Sequence, residues 1–68
     1  MQQYPESDPR HHTGKIKQML SDTITHLRED EGQVSDPRAR ALFETSAEVL
    51  NGLLRAYDDF EQGKPAWR

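Results

Sequence analysis

Asp22, His26 and Asp30 recur at four-residue intervals, a spacing that sets a carboxylate, an imidazole and a second carboxylate along one helix flank. These are metal-ligand types, and at this spacing they can share a cation. Glu44 and Glu48 add two more carboxylates at the same interval. A like-charge pair one helical turn apart is mildly destabilising and so invites a functional reason. Two copies of such a chain could build one carboxylate/histidine metal site at their interface, in the form of a ferritin-like bundle. Against this stands the absence of the Glu-x-x-His pattern that di-iron bundles use. On a helical wheel Glu44 and Glu48 also fall outside the apolar arc, and Arg40 lies one turn before Glu44, where it can neutralise it. His11 and His12 are adjacent and can hold a stray transition metal only weakly. The plain reading of all these residues is a solvated helix edge, with no metal and no cofactor required.

Other chemistries find less support. The sequence has no nucleophile motif, no phosphate-cradling glycine loop and no zinc-finger spacing. Ser46 falls among apolar residues, where its hydroxyl is expected to bond to the carbonyl one turn earlier rather than to act on a substrate. Catalytic carboxylates need a concave site that shifts their pKa values, and a chain of 68 residues built of two helices has little room for one. The expectation is therefore a protein that is not an enzyme.

The net charge of -3 argues against a general phosphate-binding surface. Arg10, Lys15, Lys17, Arg38 and Arg40 would serve nucleic acid only if the fold gathered them. The N-terminal sequence MQQYPESDPRHH lacks the basic lead and apolar core of a signal peptide, and no run approaches the ~20 apolar residues of a membrane span. There is no cysteine, hence neither disulfide nor thiolate zinc site. Together these point to the cytoplasm, with no nucleic-acid and no membrane partner.

The elements that must position these residues are helical. Residues 1–12 carry Pro5, Ser7, Asp8 and Pro9 and read as a flexible arm in which Tyr4 is free. Thr13 is the expected N-cap of a first helix over about 14–31, with Ile16, Met19, Leu20, Ile24 and Leu27 on one face. Gly32 is expected at the C′ position, and Val34 in the connection plugs the open end of the core. Asp36 followed by Pro37 is the clearest local signal, a capping carboxylate with proline at the first helical position. The second helix is expected over about 37–62, ended by Gly63 with Pro65 behind it. So short a connection makes the helices antiparallel neighbours, and residues 13–63 one hairpin domain before a short tail, 64–68.

The second helix carries more apolar surface than the first can cover. Its apolar residues span roughly 160° of the wheel. Phe43, Leu50, Leu54 and Tyr57 lie toward one side of the arc; Leu42, Val49, Leu53 and Phe60 lie toward the other. If one side meets the first helix, the other needs a partner from outside. A domain this small is marginal without a staple, and a second copy is the cheapest one left. The expected assembly is a homodimeric four-helix bundle or a larger even oligomer. Its core would come from Ile16, Leu20, Ile24, Leu27, Leu42, Phe43, Ser46, Leu50, Leu53, Tyr57 and Phe60. The expected function is self-association and protein-protein interaction. Leu42, Val49, Leu53, Tyr57, Phe60 and Trp67 are the interaction residues, the last as a docking anchor near the terminus.

Overall fold

The computed structural model describes residues 4–63. Two helices, α1 (Pro9–Glu31) and α2 (Pro37–Glu61), form an antiparallel all-α hairpin. Each begins with the same device. The Asp8 carboxylate accepts the Arg10 N–H at 2.9 Å, the Asp36 carboxylate accepts the Arg38 N–H at 2.8 Å, and a proline follows each cap. Proline costs nothing there, because the first helical N–H has no partner to lose, and its fixed φ suits the turn.

The start of α1 corrects the expectation of a helix from 14 capped by Thr13. The cap is Asp8, and residues 9–12 are the first helical turn rather than part of a loose arm. Residues 4–8 fold back on that turn. The Asp8 N–H donates to the Pro5 carbonyl at 2.8 Å. The Arg10 guanidinium lies 4.1 Å from the centre of the Tyr4 ring, so Tyr4 is engaged rather than free. Ring nitrogens of His11 and His12 donate to the carbonyls of Tyr4, at 2.9 Å, and Glu6, at 2.8 Å.

The helix ends differ from each other. Gly32 is the C-cap of α1 itself, at φ -72, and not the left-handed residue expected there. Its N–H and those of Gln33 and Val34 reach back to the carbonyls of Arg28 and Asp30, which satisfies the last turn without a positive φ. After α2, Gly63 does take the left-handed conformation, φ 78, that glycine allows without penalty.

On α1 the half-buried line runs Thr13, Lys17, Leu20, Ile24, Leu27, Glu31; on α2 it runs Phe43, Ala47, Leu50, Leu54, Tyr57, Glu61. Both lines advance by alternating steps of four and three, the spacing that keeps one seam facing a neighbouring helix. The α1 seam is polar at both ends and apolar between, and the α2 seam is polar only at Glu61. Two helices side by side share one line of contact, so they cannot enclose a core. Ala47 alone among the described residues is fully buried, at 0% exposure. The radius of gyration, 14.8 Å, exceeds the about 11 Å of a globular chain this long. Of the expected core, Ile16, Leu42, Leu53 and Phe60 stand exposed in the single chain.

Candidate functional site

The exposed apolar residues occupy one side of the hairpin. Met19 is 68% exposed, Leu42 62%, Val49 59%, Phe60 51%, Leu53 42% and Ile16 38%. Each sits one position before a residue of the facing seam: Ile16 before Lys17, Met19 before Leu20, Leu42 before Phe43, Val49 before Leu50, Leu53 before Leu54, Phe60 before Glu61. One residue back is a turn of about 100° about the helix axis. Because both helices are right-handed and run in opposite directions, that turn carries the side chains of α1 and α2 to the same broad side. One step forward carries them to the other side, which holds Gln18, Ser21, Thr25 and Arg28 on α1 and Glu44, Glu48, Asn51 and Arg55 on α2. The hairpin is thus amphipathic as a unit: one broad side is apolar along α2 and, on α1, carries Ile16 and Met19 among His12, Thr23, His26 and Asp30, while the opposite side is polar throughout.

The apolar side has its own regular spacing on α2. Leu42, Ser46, Val49, Leu53, Ala56 and Phe60 advance by four, three, four, three and four residues. Such a seam suits packing against another helix by knobs into holes. The Ser46 hydroxyl donates to the Leu42 carbonyl at 2.8 Å, as its place among apolar neighbours led one to expect. It is thereby satisfied within its own helix, and Ser46 presents little more than a small side chain on this side. Tyr57 is half-buried and belongs to the line that faces α1. It lies with Phe43, Leu50 and Leu54, the side of the wheel to which its position assigns it, and apart from the other interaction residues Leu42, Val49, Leu53 and Phe60. Trp67 and the tail 64–68 lie outside the described residues.

A polar latch that the sequence reading passed over closes the open end of the hairpin. The Thr13 hydroxyl donates to Glu61 Oε2 at 2.6 Å, and Lys17 Nζ donates to Glu61 Oε1 at 2.8 Å while pairing with Asp58. The Lys17 hydrogen bonds, first to Asp58 and then to Glu61, raise its pKa above the usual lysine value. The Lys17 bond, with the Thr13 hydroxyl second, holds the Glu61 carboxyl below its usual range. At the other polar element, hydrogen bonds from the Arg10 side chain and backbone hold the Asp8 carboxyl at about 2.

The residues considered for chemistry are not gathered. Asp22 accepts a hydrogen bond from the Gln18 side chain at 2.9 Å, one turn back on its own helix. Among the described residues no three histidine, aspartate or glutamate side chains converge in a way that could hold a metal ion. Within the chain, then, Asp22, His26, Asp30, Glu44 and Glu48 form no shared centre. His11 and His12 meet edge to face, with ring centroids 4.9 Å apart, each turned to a backbone carbonyl, and Lys15 Nζ approaches His11 Nε2 at 3.2 Å. The expected Arg40–Glu44 pair is absent from the ion pairs of the described residues. Arg10 pairs with Asp8, Lys17 with Asp58 and Glu61, and Arg38 with Asp36 at 3.9 Å. Two of the basic residues considered for phosphate, Arg10 and Lys17, are thus committed to carboxylates, while Arg38 only lies near one. Neither described helix is long and apolar enough to cross a membrane.

This arrangement defines a class by architecture: a small all-α hairpin with an apolar broad side, lacking obvious catalytic or metal-binding groups among its described residues. No protein-family model, no curated protein and no solved structure matches the chain.

Proposed function

We propose that this protein works by association, through the apolar broad side of its hairpin, and without catalysis. A homodimeric four-helix bundle is the assembly we assign, with a further protein as a secondary partner. The observation that carries the proposal is the division of the molecule into two unlike sides. Six large apolar residues stand exposed on one broad side, while among the described residues Ala47 alone is fully buried between the helices. An exposed apolar surface of that kind is the mark of an interaction site. Association would also supply the burial that a lone hairpin lacks, so folding and assembly reinforce each other by mass action. The cysteine-free chain suits a reducing compartment, and the cytoplasm is the setting we assign.

The test is light scattering behind a sizing column over a wide concentration range, with and without EDTA. The proposal expects a species of twice the chain mass that dissociates on dilution and ignores EDTA. Dissociation by EDTA would instead install a metal site at the subunit interface, drawn from Asp22, His26, Asp30, Glu44 and Glu48. A monomer at every concentration would remove self-association and leave the apolar side to a different partner.

A further inference from the structure

We infer that the apolar side is completed by a second copy of this chain, its α2 antiparallel to α2 of the first, about a two-fold axis level with Asn51. The inference rests on the self-association proposed above and adds its geometry. The exposed seam of α2 reads nearly the same from either end in side-chain size. Leu42 mirrors Phe60, Ser46 mirrors Ala56 and Val49 mirrors Leu53, with Asn51 midway between the members of each pair. In an antiparallel helix pair these are the residues that come level across the interface, large against large and small against small. A two-fold axis requires such self-complementarity. A parallel pair would set Ser46 against Ser46 and Ala56 against Ala56 and draw nothing from the mirrored order.

Position and area agree with this axis. Asn51 lies close to the middle of α2 (Pro37–Glu61), so pairing about it overlaps the two hairpins along almost their whole length. The stretch of α2 that overlaps about this axis, residues 41–61, is about 31 Å long, and two helices abreast are about 20 Å wide, so each copy can cover roughly 600 Å². That reaches the lower end, about 600 Å² per partner, of the range for a stable interface.

Charge agrees as well. The register fixed by the Thr13–Glu61 hydrogen bond carries the axis to the level of Thr23 on α1. Lys15 and Glu29, both exposed, lie on either side of that level. Antiparallel pairing of the two α1 helices brings Lys15 of one copy within about a turn of Glu29 of the other. Within one chain the two residues are separated by several helical turns and do not meet.

The chain has no cysteine, so introduced thiols report on the arrangement directly. Ser46→Cys and Ala56→Cys are made as separate proteins, then oxidised alone and as an equal mixture, with the dimer followed by sedimentation. The expected result is efficient cross-linking in the mixture only. Cross-linking of Ser46→Cys to itself, or a dimer that cross-links in none of the three samples, overturns the antiparallel arrangement and leaves self-association standing. A monomer throughout overturns both. Charge exchange gives an independent reading on exposed positions that do not bear on the fold. Lys15→Glu and Glu29→Lys should each weaken the dimer several-fold, and the double variant should regain wild-type affinity. Equal weakening without rescue refutes the arrangement.

Discussion

Leu53 and Leu54 are chemically identical neighbours that the hairpin uses in opposite ways. Leu54 is half-buried on the line facing α1, whereas Leu53 is 42% exposed on the apolar side. Truncation of each to alanine therefore separates folding from association. Leucine to alanine removes three carbon atoms, worth about 2.4 kcal/mol at ~0.8 kcal/mol per buried carbon. Only the surface still open at Leu53, 42%, is left for a second copy to cover, so its share is about 1 kcal/mol per copy. A two-fold dimer contains it twice, giving about 2 kcal/mol, or roughly 30-fold in the dissociation constant. Sedimentation equilibrium on Leu53→Ala should show that loss, with helix content unchanged once the protein is concentrated enough to pair. Leu54→Ala should instead lower helix content at every concentration. The reasoning is refuted if Leu53→Ala leaves the dissociation constant within a factor of two, or if both variants lose helix content alike.

Three further outcomes follow from the polar elements and the glycines. Glu61→Gln should cost about 0.2–1 kcal/mol, the range for a partly exposed ion pair, and should flatten the acid side of the stability profile, as thermal melts followed by circular dichroism will register. The sign is fixed by the lowered Glu61 pKa: its contribution is complete above the ordinary value of 4.5 and is lost as pH falls through the lower folded value. Asp8→Ala should speed amide exchange at Arg10 and His11 without touching α2. In the wild type the same fraying should set in only as pH falls from the ordinary 3.8 toward about 2, where the folded Asp8 carboxyl titrates. Gly14→Ala and Gly52→Ala place a methyl where nothing lies within 4 Å, so each should stabilise the helices by ~0.8–1 kcal/mol, and a fall in melting temperature would contradict that.

The hairpin was legible because its signals are local or periodic. Asp36-Pro37 is a cap that needs no tertiary information, and the apolar intervals of α2 separate two sides on a wheel before any partner is known. Phe43, Leu50 and Leu54 are half-buried and Leu42, Val49 and Phe60 exposed, as that separation implied. The start of α1 was missed although its signal was the same, Asp8-Pro9-Arg10 repeating Asp36-Pro37-Arg38. The first turn of α1 carries no apolar residue, so periodicity has nothing to extend there and points to Thr13 rather than to the stronger cap upstream. The latch was missed for a related reason. Lys17 and Glu61 stand on seam positions that hydrophobic patterning treats as blanks; continuing the four-three intervals outward from Leu20 and Tyr57 would have found them. That the apolar residues of α1 and α2 share one broad side depends on the opposed directions of the helices. It emerges only when the two wheels are read together.

The repeated Asp-Pro-Arg start bears on the order of events in time. Each helix has its beginning written into three adjacent residues, and the connection between them, residues 32–36, is short. Helix growth takes on the order of nanoseconds per residue and closure of a loop of about ten residues ~10–100 ns, so the hairpin can form from one chain alone before any encounter. Its contacts are mostly near in sequence or nested about one turn, the topology of fast folders. Pairing of two such hairpins is then a collision between preformed surfaces, and at low concentration that collision sets the pace. Refolding from dilute denaturant should show a rapid phase indifferent to protein concentration, in which part of the helix signal appears, the rest being added as pairing stabilises the hairpin. A slower phase should follow whose rate rises in proportion to concentration.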